Sequence, residues 1–138
     1  MAIKRAATAR WEGNGTTGTG QLNTPSTVLQ AVQYSYHSRF AEGIGTNPEE
    51  LIAAAHAGCF AMKLAFNLQT AGFAPRFIDA TCEIVLEEGV ITTSHLRVGA
   101  DVPGLDQQQF STLVDDAKLN CPVSKVLKAD IQCEASLV

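Results

Sequence analysis

Short runs of alternating apolar and polar residues, such as Tyr34-Ser35-Tyr36-His37, fill the stretch from Ala6 to Gly45, punctuated by Gly, Thr and Ser. The pattern predicts an antiparallel meander. Gly13, Gly15, Gly18 and Gly20 lie within it, but no Lys-Ser/Thr pair follows them and no strand leads into a helix there. They therefore read as hairpin glycines rather than a phosphate loop. At Thr46-Asn47-Pro48-Glu49-Glu50 the pattern changes: Asn47 can cap a helix, Pro48 suits its first position, and Glu50 can close a capping box. A helix is predicted from there to about Thr70, stopped by Gly72 and Pro75.

Along this helix Leu51, Ile52, Ala55, Cys59, Met62 and Phe66 form one apolar stripe, while Ala53, Ala57, Phe60, Leu64 and Leu68 occupy much of the remaining circumference. A helix apolar nearly all round must be covered on several sides. In a chain of 138 residues a second copy does this most readily, so the pattern predicts an obligate homodimer. His56, Lys63 and Asn67 interrupt the stretch Leu51 to Leu68, which favours a core helix over a membrane span.

Alternation resumes over Ile78 to Leu86 and Val90 to Val102, with Glu87-Glu88-Gly89 as the turn between two strands. Pro103-Gly104-Leu105-Asp106 leads into a second helix, with Phe110, Leu113, Val114 and Ala117 on its apolar face, ending near Asn120. Cys121-Pro122 opens a further helical turn, and Ala129 to Leu137 closes the chain as a strand. The order strands, helix, strands, helix, strand predicts one α+β domain over residues 1–138 without a regular βαβ repeat.

A hydrophobic content of 46% is enough for a substantial core in a chain of this length. The formal charge of −4, with the basic residues scattered, gives no footprint for nucleic acid. No secretory signal is legible at the N-terminus, so a cytoplasmic location is expected and the four cysteines are expected to meet a reducing environment. Any disulfide would then be transient and chemical.

Cys59 lies in an apolar stripe, which favours a buried, unreactive thiol. The start of its helix is about 18 Å away at 1.5 Å per residue, too far for the dipole to help, so a reactive Cys59 needs a nearby cation. Cys121 precedes Pro122 at a helical turn, where free N–H groups favour a thiolate, but its position alone does not separate that role from simple capping. Cys82 and Cys133 sit in strands and read as structural. His56 and Cys59 share a helical face, yet no second pair of ligands accompanies them, and His37 and His95 bear no regular relation to them, so no metal is expected.

Taken together, Arg39-Phe40, the segment Thr46 to Leu51, Ala54-Ala55-His56-Ala57-Gly58-Cys59-Phe60 and Cys121-Pro122-Val123-Ser124 resemble the OsmC and Ohr family of hydroperoxide reductases. Trp11-Glu12-Gly13, Val102-Pro103-Gly104 and Lys125-Val126-Leu127-Lys128-Ala129 extend the resemblance over nearly the whole chain. It points to the OsmC branch: Ohr-like members carry their arginine in the early glycine-rich segment, whereas here none lies between Trp11 and Ser38 and the arginine is Arg39.

The resemblance implies an OsmC-like fold, with antiparallel sheets packed around a long central helix in an intertwined homodimer. It implies a thiol peroxidase acting on organic hydroperoxides, and more weakly on hydrogen peroxide, without a cofactor. Cys59 would be the peroxidatic thiol, Cys121 the resolving thiol, Arg39 the cation, and Glu49 the carboxylate orienting Arg39 through paired hydrogen bonds. The resemblance also implies an external dithiol, of the lipoyl-bearing kind, that would reduce the disulfide; no membrane partner is implied. Glu49 lies ten residues before Cys59, about 15 Å along one helix, so joint action predicts that Glu49 comes from the other subunit. Phe60, Met62 and Ile44 are expected to line an alkyl pocket. The competing reading is a dimer that binds an apolar small molecule or lipid, with incidental cysteines.

Overall fold

The computed structural model describes residues 1–138. The chain forms two compact units, Met1–Leu51 and Ile52–Val138.

In the first unit β1 (Thr8–Glu12), β2 (Thr19–Asn23) and β3 (Val32–Tyr34) form the antiparallel meander in the order β1-β2-β3. Trp11 and Tyr34 pack with ring centroids 5.4 Å apart over Gly20, where a Cβ would run into both rings. The strand pattern read through His37 stops earlier than expected. Ser35 takes the extended conformation of a cap, its Oγ accepts from the Ser38 N–H at 3.2 Å, and the Ser38 Oγ accepts from the Ser35 N–H at 2.8 Å. This reciprocal box starts α1 (Tyr36–Phe40), so Arg39 is a helical residue rather than a strand residue.

Helix α2 (Pro48–Thr70) begins and ends where the sequence predicts. Asn47 Oδ1 accepts from the Glu50 N–H at 2.7 Å, but the Glu50 carboxylate accepts from the Thr46 hydroxyl at 2.7 Å instead of closing back on Asn47. At the other end Gly72 has φ 89°, and the N–H groups of Gly72 and Phe73 bond to the carbonyls of Gln69 and Leu68. That is the Schellman arrangement a left-handed glycine permits.

The second unit carries α2 beyond its first turn and a sheet ordered β4-β5-β6. Strands β4 (Phe77–Glu87) and β5 (Val90–Asp101) form a hairpin closed by Glu88 and Gly89, at φ 49° and 79°. Two positive φ values match the turn to the strand twist. Strand β6 (Asp130–Leu137) pairs parallel to β5, so the expectation of purely antiparallel sheets fails at this strand. The reason lies in the connection: α3 (Gln107–Asn120) and α4 (Pro122–Val126) intervene, and a helical crossover of that length brings a strand back in the same direction.

The core of this unit joins Phe60, Leu64 and Leu68 of α2 to Leu96, Val98 and Ala100 of β5 and to Phe110, Val114 and Ala117 of α3. The stripe that α2 buries in its own chain is thus His56, Phe60, Leu64 and Leu68, at i, i+4 spacing and 0% exposure. Of the stripe that the sequence predicts, Cys59 packs against the edge of this core, whereas Met62 and Phe66 face away from it and are 64% and 57% exposed. By length and composition α2 passes as a membrane span, and its own chain buries only 22% of that apolar window.

Candidate functional site

In the first unit, helix α1 holds Arg39 so that its Nε donates to Glu49 Oε1 at 2.8 Å. Asn47 Nδ2 donates to the Ser38 carbonyl at 3.0 Å and the Ser38 hydroxyl donates to the Thr46 carbonyl at 2.8 Å, which fixes α1 against the start of α2. The expected paired geometry is not formed. Glu49 uses one oxygen, and its buried Oε2 has no partner, because Arg39 presents Nε alone and lays its guanidinium 5.1 Å from the Phe40 ring centroid. Arg39 also lines a cleft of about 240 Å³ with Trp11, Tyr34, Tyr36 and Phe40.

In the second unit the chain brings together two sulfurs that lie far apart in sequence. Cys59 is half-buried on α2, and the thiol of Cys121 stands against it. Burial pushes the Cys59 thiol above its ordinary range, a backbone hydrogen bond from Val123 opposes that shift by favouring the thiolate, and proximity of Cys121 adds to it. Cys121, fully buried, caps α4: its Sγ accepts from the Ser124 N–H at 3.4 Å and lies 3.1 Å from the Ser124 hydroxyl. Both the capping role and the apposition to Cys59 therefore hold at once.

A register between α2 and the Cys121 segment explains the meeting. His56 Nε2 lies 2.8 Å from Ser124 Oγ. One helical step of three residues along α2 from His56 leads to Cys59, and three residues back from Ser124 leads to Cys121. The buried histidine bond thus pins the two cysteines opposite each other. The other ring nitrogen, Nδ1, lies 2.6 Å from Ser94 Oγ on β5, whose oxygen is 3.2 Å from Cys82 Sγ on β4. His56, Ser94 and Ser124 were not singled out as partners from sequence. The available signal was the histidine itself, because a polar ring on the buried stripe of an apolar helix must find hydrogen bonds.

Both nitrogens of His56 are engaged by hydroxyls, and burial pulls its pKa below the usual value. Burial raises the Cys82 thiol, partly offset by Ser94. Cys133 is pushed up to about 11, chiefly by burial. Of the residues expected to line an alkyl pocket, Phe60 belongs to the core, since it lies on the stripe facing β5, while Met62 and Ile44 are exposed.

The family model described as "OsmC-like protein" matches residues 41–136. Over 99% of both chains the sequence is 43% identical to a protein of Escherichia coli named peroxiredoxin OsmC. It is 35% identical, over 70% of each chain, to an organic hydroperoxide resistance protein of Xanthomonas axonopodis pv. citri. Among solved structures, an OsmC-like protein of Vibrio cholerae superposes with a TM-score of 0.73 over 98% of this chain and 100% of that one at 13% identity. An organic hydroperoxide resistance protein OsmC of Legionella pneumophila does so with 0.67 over 99% and 98% at 23% identity. At those identities the likeness establishes the fold.

Proposed function

The chain belongs to the OsmC-like protein family, and from that membership and the apposition of its two core-facing thiols we propose that it is a thiol peroxidase reducing organic hydroperoxides. Cys59 attacks the distal peroxide oxygen as a thiolate; the O–O bond breaks, an alcohol leaves, and the sulfur becomes a sulfenic acid. Cys121 then displaces hydroxide from that sulfur, forming the disulfide and water. An external dithiol, such as a dihydrolipoyl group, returns both thiols by exchange. The enzyme works in a reducing cytosol, and residues 1–138 act as one domain of a homodimer.

Arg39 supplies the cation that the raised Cys59 thiol requires. Glu49 holds Arg39 by the bond to its Nε, leaving the rest of the guanidinium free to meet a thiolate and a peroxide oxygen. On the continuous helix α2 Glu49 and Cys59 are about 15 Å apart, so the Arg39–Glu49 pair serving a given Cys59 comes from the second copy. The exposed apolar face of α2 around Met62 and Phe66 supports a dimer in which that copy covers it. The aromatic cleft beside Arg39 suits an organic peroxide tail.

The observation that carries this reading is Cys121 set against Cys59 at the start of α4. Titrating thiols before and after one equivalent of cumene hydroperoxide tests it. Loss of two thiols per chain, mapped by peptide mass spectrometry to a Cys59–Cys121 bond, is expected. Retention of all four would favour the apolar-ligand binder.

A further inference from the structure

The mechanism above leaves unused a buried chain of hydrogen-bonding groups that ends on the resolving thiol: Cys82, Ser94, His56, Ser124, Cys121. Its links are 3.2, 2.6, 2.8 and 3.1 Å. His56 and Ser94 are fully buried and Ser124 is 7% exposed. Three hydroxyl or imidazole groups placed in series inside an apolar core are more than a helix tie requires.

We propose that His56, acting through the Ser124 hydroxyl, takes the proton from Cys121 when that thiol attacks the Cys59 sulfenic acid. This rests on the peroxidase reading and adds a positioning and proton-accepting residue to its second step. The directions of the hydrogen bonds allow it. With Nδ1–H donating to Ser94 Oγ, Nε2 is left as an acceptor for the Ser124 hydroxyl, whose oxygen in turn accepts from the Cys121 thiol. As the Cys121 sulfur attacks, its proton moves to Ser124 Oγ and the Ser124 proton moves to His56 Nε2. The S–S bond forms and the S–O bond of the sulfenic acid breaks. The Cys121 sulfur is oxidised and the sulfenic sulfur reduced, and the departing hydroxide recovers the proton from His56 by the same route and leaves as water.

The groups facing His56 suit this task. They are Cys82 from β4, Ser94 from β5 and Ser124 from α4, with Cys121 behind Ser124. No carboxylate or cation is among them, and burial alone holds the ring in its neutral, proton-accepting form at neutral pH.

The test separates the two chemical steps after a single equivalent of cumene hydroperoxide, with sulfenic acid trapped by dimedone and disulfide formation followed by stopped-flow fluorescence. In Ser124→Ala and His56→Gln, Cys59 is expected to reach the sulfenic acid at the wild-type rate but to close the disulfide on the order of a hundredfold more slowly at neutral pH, as for loss of a general base. The deficit should shrink as pH rises and solvent hydroxide deprotonates Cys121 instead. Ser124→Thr, which keeps the hydroxyl, should close near the wild-type rate. A deficit that is the same at every pH, or closure in Ser124→Ala within a few-fold of wild type, overturns the relay and leaves a structural tie. His56→Gln answers by the same criteria should Ser124→Ala fail to fold. If the wild type itself forms no Cys59–Cys121 disulfide, the peroxidase reading fails instead.

Discussion

Arg39 donates from Nε to Oε1 of Glu49 at 2.8 Å, while Oε2 of the same carboxylate is buried without a partner. The pair is therefore half-engaged: the carboxylate fixes the guanidinium by its inner edge and leaves its outer nitrogens for other work. Arg39→Ala is expected to lower kcat/KM on the order of a hundredfold, the scale for losing a donor aimed at developing charge. Arg39→Lys should not restore it, because an ammonium lacks the edge that Glu49 holds. Glu49→Gln should cost about tenfold, mostly in kcat, through loosened positioning of Arg39. Alkaline pH should partly rescue Arg39→Ala. Burial already raises the Cys59 thiol, so without the cation its thiolate fraction keeps growing with pH through the neutral range. Initial rates across pH with an alkyl hydroperoxide check each point.

The two sulfurs should fail in different ways. Cys59→Ser is expected to abolish turnover and leave the other three thiols untouched by one equivalent of peroxide. Cys121→Ser should consume one equivalent and stop at a sulfenic acid, which excess peroxide drives to sulfinic and sulfonic forms. Intact-mass spectra resolve these as successive additions of oxygen. Turnover by Cys59→Ser with an intact Cys121 would sink the assignment.

How much of this was legible in the sequence depended on whether a signal was local. Helix α2 could be read because Asn47, Pro48 and Gly72 each impose a backbone conformation on the spot. Its burial could not: with apolar residues nearly all round, nothing within the helix says whether Met62 and Phe66 or Phe60 and Leu64 face its own chain. Strand β6 alternates in the same way whether it pairs parallel or antiparallel, so its direction waits on the α3–α4 crossover. The start of α1 was local but masked, since Tyr34-Ser35-Tyr36-His37 satisfies a strand pattern while the deciding Ser35–Ser38 box is a weaker form of the usual motif. The partners of His56 lie 38 and 68 positions away, and only the fold selects them.

His56 should also make folding sensitive to acid. Burial lowers its pKa in the folded state below the ordinary 6.5. Well above that value neither state holds the proton. As pH falls through it the unfolded chain binds a proton before the folded one does, so the histidine's contribution to stability is present at neutral pH and is lost on the acid side. Thermal unfolding measured from about pH 7 down to about pH 5 should show Tm falling for the wild type. His56→Gln should have a lower Tm at neutral pH but a flatter slope, whereas an unchanged slope would mean that His56 is protonated equally in both states.

The exposed stripe Ala55, Gly58, Met62 and Phe66 on α2 is the face we expect a second copy to cover. Small residues at one end allow close approach, and the two large ones at the other supply apolar area. Each buried Met or Phe contributes about 1.5–3 kcal/mol, and twofold symmetry counts it twice, so Met62→Glu or Phe66→Glu should weaken dimerisation by on the order of a hundredfold or more. Sedimentation velocity reads this directly. A sharper consequence follows if Arg39 serves the Cys59 of the other chain. Inactive Cys59→Ser and inactive Arg39→Ala subunits, unfolded together and refolded at equal amounts, then assemble dimers in which half are mixed. In each mixed dimer one site has an intact Cys59 facing an intact Arg39, so activity should return to roughly a quarter of wild type. Were Arg39 to act on the cysteine of its own chain, the mixture would stay as inactive as its parents.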